Sequence, residues 1–150
     1  MQFHQVSERE LPILYRLNRR MAESEGQGEL FTAKYASYRQ VFDGDRPPVR
    51  AWLLTEEEEV FGFIIWQEKF ASYMGRMALY VEDLWLEESH RDSERQDAVL
   101  DELLQRAEAA GYCRVEIRRL EWKGIDAGAL AERGFAPVEK WRIWRKELER

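Results

Sequence analysis

The sequence predicts an α+β fold in which a central, mostly antiparallel sheet is flanked by helices. Three observations carry that expectation. The apolar period is helical up to residue 42 and changes to two between residues 50 and 86. A long amphipathic helical pattern over residues 93–110 then stands between two strand patterns, as a crossover does. Finally, 150 residues, 45% hydrophobic and 13% aromatic with six tryptophans, match one apolar core, so residues 1–150 are expected to form a single domain.

Met1 to Val6 alternates enough for a short strand. Ser7 and Glu10 have capping-box spacing ahead of a helical run through Leu11, Leu14, Tyr15, Leu17 and Met21, which Gly26 and Gly28 should end. Thr32 to Phe42 reads as a second helix, stopped by Asp43, Gly44, Pro47 and Pro48. Arg50 to Thr55 and Val60 to Gln67 read as strands joined by the acidic turn Glu56 to Glu59, and Met77 to Leu86 as a third, giving an antiparallel meander. Ser93 to Ala110 places Val99, Leu100, Leu103, Leu104 and Ala107 on one helical face, with Gly111 to terminate it. Arg114 to Leu120 is expected as a strand, Ala127 to Arg133 as a short helix closed by Gly134, and Trp141 to Leu148 as a last strand with tryptophans on both faces.

Twenty-three Lys and Arg against twenty-nine Asp and Glu leave a net charge of −6, which argues against a surface built to hold nucleic acid or anionic lipid. Cys113 is the only cysteine, which excludes an internal disulfide and a multi-cysteine zinc site and fits a reducing, cytoplasmic compartment. No stretch approaches the roughly 20 apolar residues of a membrane span, and residues 1–11 lack the apolar run of an export signal. His4 and His90, the only histidines, have no partners at metal-ligand spacing, so no metal is expected.

Several stretches in order along nearly the whole chain carry a resemblance. Gly75-Arg76 is followed by Leu79-Tyr80-Val81-Glu82-Asp83-Leu84, a strand end, a loop with Arg91 and a helix. Glu121-Trp122 comes next, with Gly134-Phe135 twelve and thirteen residues after the tryptophan, and then Glu139-Lys140-Trp141-Arg142. This pattern resembles the GNAT N-acetyltransferase superfamily, most closely its diamine and polyamine acetyltransferase branch. The resemblance implies the GNAT fold, acetyl-CoA as donor, a small amine or polyamine as acceptor, and a homodimer.

The donor side departs from that pattern. Relatives follow the Arg of this loop with glycines, because backbone N–H groups at the helix start must approach the cofactor pyrophosphate. The stretch Leu86 to Gln96 keeps Arg91, but Asp92, Glu94 and Gln96 stand at glycine positions. Ser93 and Gln96 also have capping-box spacing, so the helix is expected to cap itself. The alternative is that Asp92 and Glu94 simply favour the positive helix end and swing aside for the cofactor. Between Glu87 and Asp97 five acids (Glu87, Glu88, Asp92, Glu94, Asp97) meet two bases (Arg91, Arg95), placing −3 of the −6 at this loop. Relatives also carry a general-acid tyrosine four residues before the glycine that closes the short helix; counting back from Gly134 gives Leu130, which has no proton to give. Nothing in the sequence brings Tyr80, Tyr112 or Cys113 into its place.

The acceptor side matches better. The resemblance puts Glu82, Asp83, Glu139 and Trp141 around an amine-binding cleft, where acids attract a cation and the tryptophan offers a cation–π face. In an active enzyme Glu82 or Asp83 could also take the proton of the attacking ammonium. The plainer alternative is that two neighbouring acids alternate across the strand, one facing solvent and the other making a structural hydrogen bond. Three functional readings follow: a GNAT-like protein with lost or weakened acetyl-CoA binding that holds a small polycation or a protein partner; an active amine or polyamine N-acetyltransferase; and an acidic mimic of nucleic acid, which rests on charge alone.

Overall fold

The structure is a computed structural model that describes residues 1–121 and 123–148. Trp122, one of the residues carrying the resemblance, lies outside the described residues, as do residues 149 and 150. The elements run β1 (Gln2–Gln5), α1 (Leu11–Ser24), α2 (Tyr35–Phe42), β2 (Arg50–Glu56), β3 (Glu59–Ala71), β4 (Arg76–Leu86), α3 (Ser93–Ala109), β5 (Val115–Ile117) and α4 (Ala127–Glu132). The five strands form one sheet in sequence order, antiparallel from β1 to β4, with β5 added parallel to β4. The meander and the α3 crossover are therefore as the periodicity predicts.

Alternation along the strands divides the core between the two faces of the sheet. Trp52, Leu54, Ile64, Leu79 and Val81 pack with Val99 and Leu103 of α3 on one face. Ala51, Leu53, Phe63, Ile65 and Trp85 pack with Leu11, Leu14 and Leu17 of α1 and Tyr38 of α2 on the other. Each helix lies along the stripe its own period defines. The Ser7–Glu10 pair forms, but it holds a 3-10 turn over Glu8–Glu10 from which α1 then starts: Glu10 accepts from the Ser7 hydroxyl at 2.6 Å and its backbone N–H at 3.2 Å. Helix α2 starts at Tyr35 rather than Thr32: Lys34 is its extended N-cap residue, and the Tyr15 hydroxyl donates to the Ala33 carbonyl just before it.

The expected last strand, Trp141 to Leu148, is corrected. Residues 136–148 form no regular element and every one is exposed; Trp144 is 91% and Ile143 86% accessible. A period of two supplies strand propensity, but a strand exists only when its backbone groups find a partner strand, and this segment has none among the described residues.

Candidate functional site

Strands β4 and β5 pair over only three residues, Leu79 with Val115, Tyr80 with Glu116 and Val81 with Ile117. The Arg118 N–H still reaches the Val81 carbonyl at 3.0 Å, and beyond it the strands part. A cavity of about 280 Å³ opens in the fork, bounded by α1 and by the segment after β5.

A β-bulge sets what faces this cavity. Val81 pairs with Trp66 and Asp83 with Ile65, so Glu82 is an extra residue without a cross-strand partner. The bulge reverses the alternation: Leu79 and Val81 face α3 before it, and Leu84 and Leu86 do so after it. Glu82 and Asp83 consequently do not divide between solvent and core. Both reach one guanidinium, with Arg118 Nη2 3.1 Å from Glu82 Oε2 and 3.3 Å from Asp83 Oδ1, while Arg118 Nε donates to the Glu82 carbonyl at 3.2 Å. Asp83 is only 12% exposed, and burial pushes its carboxyl up to about 6 against the opposing pull of Arg118. Across the cavity, burial also raises the pKa of Glu25, opposed by the charges of Lys123, Arg118 and Arg91. Buried Asn18 lines the same space and accepts from the Tyr38 hydroxyl, whose pKa burial raises.

The cavity is not simply anionic. Arg118, Arg119 and Lys123 also line it. Two of these cations are spent on main-chain oxygens: Arg119 donates to the Ile125 and Leu120 carbonyls at 2.6 and 3.0 Å, and Lys123 donates to the Ser24 carbonyl.

Towards α3 the fork narrows to about 20 Å³, lined in part by Trp85, Leu86, Arg91 and Gln96. Here the expected Ser93–Gln96 capping box is corrected. Asp92 is the N-cap of α3 and accepts the Arg95 backbone N–H at 3.2 Å, while Ser93 is an exposed first helical residue. Aspartate and serine are comparable caps, and the Arg95 side chain, 3.0 Å from Asp92 and 2.9 Å from Glu56, favours the aspartate. Gln96 turns the other way: its amide donates to the Arg91 carbonyl at 2.6 Å and accepts the Asp126 N–H at 2.8 Å, tying the loop to the start of α4. Arg91 folds inward, donating to the Leu86 carbonyl at 2.6 Å with its guanidinium over Trp85.

The acidity of this loop is also largely compensated. Glu87 pairs with Arg20 at 2.7 Å, Asp92 with Arg95 and Asp97 with Arg133 at 3.0 Å, two of those arginines coming from distant elements. Leu130 packs with Leu100, Ile125 and Ala129.

The remaining expected residues lie elsewhere. Glu139 and Trp141 are on the exposed C-terminal segment, where Trp141 meets Tyr73 of the β3–β4 turn edge-on at 6.1 Å, at the opposite end of β4 from the fork. Tyr80 lies beneath Lys69, Tyr112 packs edge-on to Trp66, and the Cys113 backbone pairs with Met77; none lines the cavity. His4 is hydrogen-bonded to Glu10 and His90 stacks on Phe61, and no metal-ligating cluster occurs among the described residues. Among those residues no helix is long and apolar enough to cross a membrane. Sequence reasoning missed Glu25, Asn18 and Arg118. Arg118 carried one signal, a cation directly after the apolar alternation of β5.

No family model matches the chain. Solved structures do match along almost its full length. One is a probable acetyltransferase, at 17% identity with a TM-score of 0.76, over 100% of this chain and 99% of that one. Another is the ribosomal-protein-alanine N-acetyltransferase of Brucella melitensis biovar Abortus 2308, at 14% identity with a TM-score of 0.76, over 97% and 100%. A third is the aminoglycoside acetyltransferase HMB0005 from an uncultured soil metagenomic sample, at 19% identity with a TM-score of 0.68, over 99% and 97%. At these identities the likeness establishes architecture: the chain has the α+β fold of the GNAT acetyltransferases, with a five-stranded, mostly antiparallel sheet.

Proposed function

We propose that this GNAT-fold protein binds a small organic cation in the fork between β4 and β5 and binds acetyl-CoA weakly or not at all. The observation that carries the reading is the inequality of the fork, about 280 Å³ beside Glu82 and Asp83 against about 20 Å³ beside α3. A pyrophosphate needs free N–H groups at a helix start and room beside them. The residues present do not fit it: Asp92 takes the Arg95 N–H, Gln96 bridges the loop to α4, and Arg91 is turned towards Leu86. Calorimetric titration tests this. Binding of acetyl-CoA no tighter than millimolar is expected, and micromolar binding abolished by Arg91→Glu overturns the reading.

A second reading, an active N-acetyltransferase of an amine or polyamine, is favoured by Asp83. A carboxyl held at about 6 is poised to exchange protons near neutral pH, as a base for an attacking ammonium must be. Thiol release above background with acetyl-CoA and a panel of polyamines would establish it. For assembly we propose a homodimer formed through residues 136–148, where Trp141, Ile143, Trp144 and Leu148 are exposed. Light scattering should then show a dimer that becomes a monomer on Trp144→Glu substitution.

A further inference from the structure

We infer that Arg118 is the internal occupant of the cation site, holding the place of a ligand guanidinium, so that a ligand enters by exchange for it. This rests on the cation-binding reading of the fork and names the class of cation the site is shaped for.

The geometry is that of a bound ligand. One guanidinium meets Glu82 Oε2 at 3.1 Å, Asp83 Oδ1 at 3.3 Å and the Glu82 carbonyl at 3.2 Å, through two of its nitrogens. The bulge makes this possible, since it brings two consecutive carboxylates and an unpaired stretch of backbone to one point. A planar fork of N–H donors matches such an array; a compact ammonium, a point charge, gains less from its directionality.

The occupant is anchored at one end and free at the other. The Arg118 backbone is held to Val81, but its side chain is 47% exposed, so it can leave without unfolding the sheet. It cannot leave without replacement. The Asp83 side chain is only 12% exposed, and removing its partner would leave a largely buried charge uncompensated. An incoming guanidinium repairs that loss with the same contacts.

The space beside the pair has the features of a site as well. Asn18 is more than nine-tenths buried against the cavity; Tyr38 occupies its Oδ1, and its amide nitrogen has no hydrogen-bond partner among the described residues. Glu25 has no ion-pair partner within 4 Å among the described residues. A guanidinium at Glu82 and Asp83 with a second cationic group reaching Glu25 describes a guanidino-alkylamine.

The test compares the full-length protein with Arg118→Ala by calorimetry at pH 8, using agmatine and putrescine as probes. Agmatine should bind the variant roughly tenfold more tightly than the unmodified protein, because exchange is no longer required, and putrescine should gain less. Arg118→Gln serves as a second variant if the alanine protein does not melt cooperatively. Agmatine bound by the unmodified protein and no tighter by the variant overturns this inference and leaves the cation-binding reading standing. Binding to neither overturns both. Binding to the variant alone overturns exchange in the unmodified protein and, with it, the cation-binding reading. A putrescine gain equal to that of agmatine overturns the assignment to guanidinium.

Discussion

The two halves of the β4–β5 fork begin within four residues of one strand, yet they solve opposite problems. At Glu82 and Asp83 a bulge gathers charge and leaves space around it. After Leu86 three polar side chains are turned back on the protein: Arg91 to Leu86, Asp92 to Arg95, and Gln96 to Arg91 and Asp126. Helix starts carry unsatisfied N–H groups in both a ligand-binding and a closed loop. What differs is whether a side chain of the loop can reach them, and glycine has no side chain to do so. On the reading proposed above, closure beside α3 is a local consequence of residue choice at positions 92 and 96, while the fold around it is shared with acetyltransferases.

The largest expected effect breaks this contrast directly. Replacing Asp92, Glu94 and Gln96 together by glycine should remove the cap and the bridge to Asp126 and raise acetyl-CoA affinity by roughly 100-fold, since repulsion is lost and donors are freed. Calorimetry on the triple variant reads it; unchanged affinity would place the obstruction elsewhere. The next effect asks whether the loop's seat matters. Gly62 on β3 lies so close to β4 that a Cβ would stand 2.4 Å from the Trp85 carbonyl oxygen and 3.2 Å from the Leu86 Cα. Gly62→Ala must push the end of β4 away from β3, and should destabilise the protein by about 3 kcal/mol in urea titration. A loss well under 1 kcal/mol would mean that the strand end yields freely.

Much of the architecture was legible in the sequence because it rests on periodicity. Val99, Leu100, Leu103 and Ala107 fix α3, and the alternations in β2, β3 and β4 fix the meander. Glu82 and Asp83 were legible as a pair, but not their shared orientation. Strict alternation separates Glu82 from Asp83, and only the register against β3 reveals the extra residue between Val81 and Asp83. The cap at Asp92 rather than Ser93 was hidden for a related reason, since its advantage comes partly from Glu56, far away in sequence, acting through Arg95. Residues 141–148 show the converse: their alternation is plain, but propensity cannot create a partner strand where the described residues offer none.

Asp83 sharpens the wide half of the fork. Its pKa in the folded chain, about 6, lies above the ordinary 3.8, so between about 4 and 6 the folded state holds more protons than the unfolded one. By linkage its contribution to stability is present below that window and is lost as pH rises through about 6. Asp83→Asn should therefore stabilise the protein at pH 7, by about 2 kcal/mol after allowing for the weakened contact with Arg118, and flatten the fall in stability between pH 4 and 6. Cation binding runs oppositely, since it requires the ionised form: it should strengthen as pH rises through about 6 in the unmodified protein and lose that dependence in the variant. Denaturant titrations across this range, with agmatine binding alongside, read both; a variant that keeps the same slope would assign the titration to another group.

The smallest effect tests whether donor closure depends on overall stability or on loop side chains alone. The β2–β3 hairpin turns through Glu57 and Glu58, with φ of 50° and 69°, a left-handed pair that glycine and asparagine adopt far more readily than glutamate. Glu57→Asn with Glu58→Gly should stabilise the protein by about 1 kcal/mol, read as a rise in Tm of about 2–4 °C. The neighbouring Glu56 still holds Arg95 in that variant, so the N-cap of α3 is untouched. Acetyl-CoA affinity should not move. If it falls as Tm rises, the donor half of the unmodified protein opens by local unfolding, and closure is a matter of population rather than of the side chains at 92, 94 and 96.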